Sequence, residues 1–291
     1  MKVLIFNHHP DYAYHIWKNL TSMNIECYFA TEKATLAAGA NFSSTIGPEN
    51  KFQLISNLFS VDELFPEMKG VKFTDSLDNF DYYFTIDPYI AQKLNKNRLV
   101  WGAVIQPYLK QINNPSKFLK ITSVQNAESY NAKYLQYFVP QNGNLKDKKY
   151  ITQLISDFRQ IPTTSKLLSL KQDYNVIIAG AGDAPDGIVN DWEILSQTAL
   201  LCHEKNWGTN CNSVCKALDT GVPVYISKAN KEIIGFSDLP DFMFIYSDFY
   251  TVEQAYEIAL KTDNKTIQIA YRKLRNFELS RIYMYNILNS F

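Results

Sequence analysis

The densest group of chemistry-bearing residues lies between Leu201 and Val224. There the apolar run Thr198-Ala199-Leu200-Leu201-Cys202 ends in His203-Glu204-Lys205. It continues through Gly208-Thr209-Asn210 and restarts as a helix-period stretch at Asn212-Ser213. A helix opening in this way offers free backbone N–H groups and the positive end of its dipole, which suits a phosphate. Lys205 adds a compact cation at the strand tip. Gly221 stops the helix, and Val222-Pro223-Val224 leads into the next strand. A second group, His8, His9 and Asp11, follows the opening apolar run Lys2-Val3-Leu4-Ile5-Phe6. An imidazole titrates near neutrality and can take a proton from a hydroxyl, and Asp11 is close enough in sequence to orient one. Asp87, after the run ending Thr85-Ile86, is an alternative base, although Asp followed by Pro88 is also an ordinary turn.

Two further patterns carry less. Gly180-Ala181-Gly182-Asp183-Ala184-Pro185-Asp186-Gly187 has the wrong spacing for a dinucleotide fingerprint and reads as a tight loop at a strand's C-terminal end. Such loops border the ligand crevice of an open α/β sheet. The cysteines Cys27, Cys202, Cys211 and Cys215 form no C-x-x-C pair and have no matching His, so buried free thiols are expected and no metal.

The elements that hold these residues alternate. Strand, helix and strand fit within the first thirty residues, and strands recur at Asp81–Ile86, Arg98–Ala103, Phe118–Ser123 and Tyr137–Pro140. The polar, turn-rich stretch Gln141–Lys149 then interrupts the pattern. A second series follows, with strands at Tyr150–Phe158, Asn175–Gly180, Thr198–Cys202, Val222–Ser227 and Phe242–Tyr246. Its helices fall at Thr163–Leu170, 191–197, Asn212–Thr220, 251–261 and 265–289. Repeated βα units imply parallel sheets, so two Rossmann-like halves are expected, divided as 1–143 and 144–291.

Composition bounds the partners. The chain has 291 residues, 46% of them hydrophobic, enough for roughly two domains with real cores. Its 29 basic residues balance 29 acidic ones, which argues against a partner held by bulk positive charge. Local groups at Tyr108-Leu109-Lys110, Lys117–Lys120 and Lys146–Lys149 still allow a basic groove. The opening Met1–Phe6 reads as a strand and not a signal peptide, and no apolar run approaches the ~20 residues that span a bilayer. A cytoplasmic protein is expected.

From about residue 150 onward the chain resembles glycosyltransferases of the two-Rossmann-domain (GT-B) type. Their second domain carries a loop, a helix of the form E-A-x-x-x-G-x-P-V and a strand. Here that stretch is Lys216-Ala217-Leu218-Asp219-Thr220-Gly221-Val222-Pro223-Val224. The N-terminal half resembles the family in architecture only. The resemblance implies parallel sheets facing a central cleft, an acceptor domain at 1–143 and a nucleotide-sugar domain at 144–291. It implies transfer of a sugar, with a UDP-sugar as the foremost donor, to a glycan hydroxyl or a hydroxymethylated DNA base, as in compact phage enzymes of this fold. Arg159, Gly180, His203, Lys205, Gly208, Thr209, Asn210, Asn212, Ser213 and Lys216 would then hold the donor. His8, His9, Asp11 and Asp87 would serve catalysis. No cofactor or metal is called for, because fixed positive groups stabilise the leaving diphosphate. One departure matters: Lys216 stands where the family has a ribose-binding glutamate, and Gly208 where it has an earlier one. A lysine donates hydrogen bonds and accepts none, so either the ribose is read differently or Lys216 contacts a phosphate. A sugar-nucleotide epimerase or a non-catalytic nucleotide-binding relative shares the same implied fold.

Overall fold

A computed structural model describes residues 1–6, 10–40, 65–102, 110–124, 126–155, 164–180, 184–187, 189–205 and 211–291. The chain forms two compact units, Met1–Tyr137 with Phe277–Phe291, and Phe138–Asn276. Each is an α/β unit around a parallel sheet.

In the first unit the strands are β1 (Lys2–Phe6), β2 (Glu26–Ala30), β3 (Lys72–Thr74), β4 (Tyr82–Thr85), β5 (Leu99–Gly102), β6 (Leu119–Thr122) and β7 (Lys133–Tyr134). Among the described residues they pair in the order β3-β2-β1-β4-β5-β6-β7, every pair parallel. Val3 to Phe6 are buried on both faces, as a central strand of a parallel sheet requires. Helices α1 (Pro10–Thr21), α2 (Glu32–Ala37) and α3 (Pro88–Lys93) follow β1, β2 and β4. Strand order reverses between β1 and β4, so the switch point lies where Phe6 and Thr85 end.

In the second unit, β8 (Tyr150–Ile155), β9 (Val176–Gly180), β10 (Thr198–Cys202), β11 (Val224–Ile226) and β12 (Phe244–Tyr246) pair as β12-β11-β10-β8-β9, again all parallel. Its helices are α4 (Thr164–Leu170), α5 (Asp191–Leu195), α6 (Asn212–Thr220), α7 (Lys228–Ile233), α8 (Val252–Lys261) and α9 (Asn264–Leu274). The switch point here falls between β8 and β10. Among the described residues no helix is long and apolar enough to cross a membrane.

Three expectations change. Tyr137–Pro140 carries no strand, and the last strand of the first sheet is β7 at Lys133–Tyr134. The segment around Gly143 belongs to the second unit because its backbone is bonded there. Gly143 N–H donates to Asp219 Oδ2 at 2.8 Å, and Arg272 and Gln268 donate to its carbonyl at 2.9 Å each. The expected helix at 265–289 is two helices, α9 and α10 (Phe277–Leu288). Arg275 breaks it with extended backbone (φ −129°) and a guanidinium bound to Asp238. The break lets Ile267 and Tyr271 serve one core while Met284, Ile287 and Leu288 serve the other.

Candidate functional site

The C-terminal end of β10 brings the expected donor residues to the edge of the second sheet. Its ladder runs on to His203, whose N–H donates to Tyr225 O at 2.9 Å, so successive side chains leave on opposite sides. On one side His203 is buried and lacks a hydrogen-bond partner at Nε2 among the described residues. Burial, with the nearby Lys205 charge, depresses its imidazole to about 3 and keeps it neutral. Lys205 lies on the same side, mostly desolvated, and burial lowers its ammonium; the Cys211 thiol is its close neighbour. Cys211 is also the N-cap of α6 and makes no side-chain cap bond, and the first turn of α6 holds no acidic residue. Half-buried Asn212 and Ser213 open that helix. A desolvated cation beside a helix start whose Cys211 side chain makes no cap bond is a favourable setting for an anion.

On the other side, Cys202 and Glu204 line a crevice with Lys166 and Leu167 of α4, Tyr225 of β11 and Val252 of α8. Sequence reading passed over Lys166. The available signal was a cation in the first turn of the helix that follows β8 at the switch point.

Lys216 sits one turn into α6 with its side chain 10% exposed. Its ammonium lies 2.8 Å from Asp191 Oδ2 and 5.9 Å above the Trp192 ring. Its charge thus ties α6 to α5. Gly180 ends β9 with φ +135°, and a Cβ there would overlap Ile155 O, so only glycine lets β9 close against the end of β8. Arg159, Gly208, Thr209 and Asn210 lie outside the described residues.

At the switch point of the first sheet, Asp87 is 1% exposed and caps α3. Its Oδ1 accepts from Tyr89 N at 2.7 Å and Ile90 N at 3.3 Å, and Pro88 occupies the first helical position. This is the turn role that the Asp-Pro pair allowed. Asp11 is buried in the first turn of α1, beside Tyr12, whose hydroxyl burial holds well above its ordinary range. His8 and His9 lie outside the described residues. Among the described residues, no group of three or more His, Cys, Asp or Glu could hold a metal ion.

No protein-family model matches the chain, and no curated protein matches it. Solved structures match it in fold. Sucrose-phosphate synthase from Thermosynechococcus elongatus aligns over 99% of this chain and 98% of its own, with a TM-score of 0.62 and 10% identity. The HepE protein of Anabaena, solved with UDP and glucose, aligns over 100% of both chains at TM-score 0.60 and 10% identity. TarM of S. aureus, in complex with fondaparinux, alpha-GlcNAc-glycerol and UDP, aligns at TM-score 0.55 and 12% identity over 72% of this chain. The chain spans about half of TarM, 55% of its length. The two parallel sheets are those of the GT-B fold.

Proposed function

We propose that the chain transfers a glycosyl group from a nucleotide-sugar donor to an acceptor hydroxyl. One observation carries the reading. The switch point of the second sheet presents a desolvated Lys205 beside the start of α6, on a fold shared end to end with an Anabaena protein solved with UDP and glucose. Open α/β sheets bind ligands at such points, and fixed cations with free N–H groups favour the negative charge that builds on a departing diphosphate.

In this reading the second unit holds the donor. Lys205, Arg159, the Gly208-Thr209-Asn210 loop and the Asn212-Ser213 helix start take the diphosphate, with Gly180 and His203 bordering the same sheet edge. The first unit supplies the acceptor side. A hydroxyl oxygen attacks the anomeric carbon, the bond from that carbon to the diphosphate oxygen breaks, and the hydroxyl proton passes to His8 or His9, oriented by Asp11. Asp87 keeps its capping role. A UDP-sugar is the foremost donor, and a glycan hydroxyl is the acceptor that suits a chain with no net positive charge better than DNA does.

The test is ligand-induced thermal stabilisation by UDP, GDP, ADP, CDP and dTDP and by their sugar conjugates. Lys205→Ala is expected to weaken diphosphate binding by about 10-fold or more, the worth of a charged hydrogen bond, with nucleoside binding unchanged. Stabilisation by none of the nucleotides, or equal loss for nucleoside and diphosphate, contradicts the reading. Incubation with donor alone separates transfer from epimerisation. A new sugar epimer without acceptor would place the chain among epimerases.

A further inference from the structure

Three polar residues fall on one face of α1 where a buried helix ordinarily carries apolar ones. Asp11, His15 and Asn19 recur at intervals of four, and each is more than nine-tenths buried. The face is bonded to the two segments at which the chain leaves the first unit and returns to it. His15 Nε2 lies 3.1 Å from Gln136 O and 2.9 Å from Ser280 Oγ of α10, and Asn19 Nδ2 donates to the same Ser280 Oγ at 3.0 Å. Burial holds the imidazole down at about 3, so at neutral pH the ring carries one N–H. The Gln136 carbonyl only accepts, which places that hydrogen on Nε2. The neighbouring rings follow the same line. Tyr137 meets His15 edge to face at 4.8 Å and stacks on Tyr12 at 6.3 Å. Tyr12 in turn lies over Gly102 at the end of β5, where a Cβ would come to 3.0 Å from two of its ring carbons.

A polar face of this kind costs stability that an apolar one would not. Asn19 Oδ1 is buried with no hydrogen-bond partner among the described residues, and a buried acceptor in that state is destabilising. What the polar contacts add is direction. Apolar packing is non-directional and tolerates a helix that slides along its axis. A hydrogen bond is lost within about 0.5 Å of displacement, and slippage by one residue moves a helix about 1.5 Å. His15 therefore fixes the axial position of α1 to less than one residue. Asp11 lies one turn earlier on the same face, so what holds His15 holds Asp11.

We infer that His15 is a positioning residue: by tying α1 to Gln136 and Ser280 it fixes the place of Asp11, and so of the proton acceptor that Asp11 orients. The inference rests on the glycosyl-transfer reading, in which that acceptor is His8 or His9. Its test is an NMR titration of the imidazole rings in the whole chain, which has four histidines, with signals assigned through His8→Gln and His9→Gln. Calorimetry with UDP, GDP and ADP accompanies it. His15→Leu keeps the core filled and removes the N–H. The titration midpoint of His8 or His9 is then expected to fall by about 1 unit, as when a carboxylate moves away from an imidazole. His15→Gln, whose amide N–H can reach the same carbonyl, is expected to restore it. Ser280→Ala removes the shared acceptor with little change in volume. It is expected to lower the same midpoint, and it decides the question if His15→Leu does not fold. The nucleoside diphosphate that binds the wild type is expected to bind every variant alike. Midpoints unchanged in His15→Leu and Ser280→Ala, or not restored in His15→Gln, overturn the role of His15 and leave glycosyl transfer standing. If the wild type binds none of the three diphosphates, glycosyl transfer falls and the positioning of its base falls with it.

Discussion

Two histidines show how far burial can separate a residue's chemistry from its type. His15 is 1% exposed in α1, and its Nε2 meets Gln136 O at 3.1 Å and Ser280 Oγ at 2.9 Å. Desolvation lowers its imidazole to about 3, even though the Gln136 carbonyl favours the charged form. The unfolded chain holds the same group near 6.5, so it binds more protons than the native state throughout the interval. The stability this residue contributes is therefore present above pH 6.5 and is lost as pH falls toward 3. The loss is about 1.4 kcal/mol per pH unit, or roughly 2 kcal/mol by pH 5. Urea midpoints measured between pH 7 and pH 5 should fall less steeply in His15→Gln than in wild type. Parallel slopes would mean that His15 is not held neutral. His203 has the same sign in the second unit. Lys216 makes a related point: its type suggested a phosphate contact, and a carboxylate three-dimensionally close but 25 residues earlier, Asp191, takes its charge.

Helix α6 is tied to the rest of the second unit through polar contacts at Lys216 and Asp219. Near its C-terminal end Asp219 is 1% exposed and accepts from Arg272 Nε at 2.7 Å and from Gly143 N. Burial raises the Asp219 carboxyl, while Arg272 and Gly143 pull it the other way. Asp219→Ala would leave a half-buried guanidinium and the Gly143 N–H without their acceptor. The expected loss is about 3 kcal/mol, read as a lower urea midpoint with unchanged slope. An unaffected midpoint would show that the cluster is not structural. Much of this architecture was legible. The continuous apolar runs of β1, β9 and β10 mark buried parallel strands, and Gly221, at φ +88°, ends α6 where the sequence placed the stop. The residue contacts were not legible, because Asp191–Lys216 and Asp219–Arg272 join residues 25 and 53 apart that periodicity treats as unrelated. Nor did the pattern reveal the Arg275 break. Helical period continues through it, and only the two separate cores show why α9 and α10 part.

At the scale of the molecule, the chain leaves the first unit at Tyr137 and returns to it at Phe277, so the last helix in sequence completes the unit that begins the chain. Its attachment is specific. Ser280 Oγ meets His15 Nε2 and accepts from Asn19 Nδ2 at 3.0 Å, Tyr82 Oη donates to Leu288 O at 3.1 Å, and Tyr134 and Tyr283 meet edge to face at 4.9 Å. Met284, Ile287 and Leu288 are buried in the same unit. Three such side chains at about 1.5–3 kcal/mol each amount to about 5 kcal/mol or more, comparable with the whole stability of an ordinary domain. Removing Phe277–Phe291 should therefore unfold the first unit while the second keeps its sheet, since the removed segment belongs to the first unit. Hydrogen exchange on the chain ended at Asn276 measures this directly. Amides of β1, β4 and β5 are expected to lose protection, and those of β8, β10 and β11 to keep it. Uniform loss would show the two units to be one cooperative body, and unchanged protection of β1 would show that the helix does not hold the first unit together.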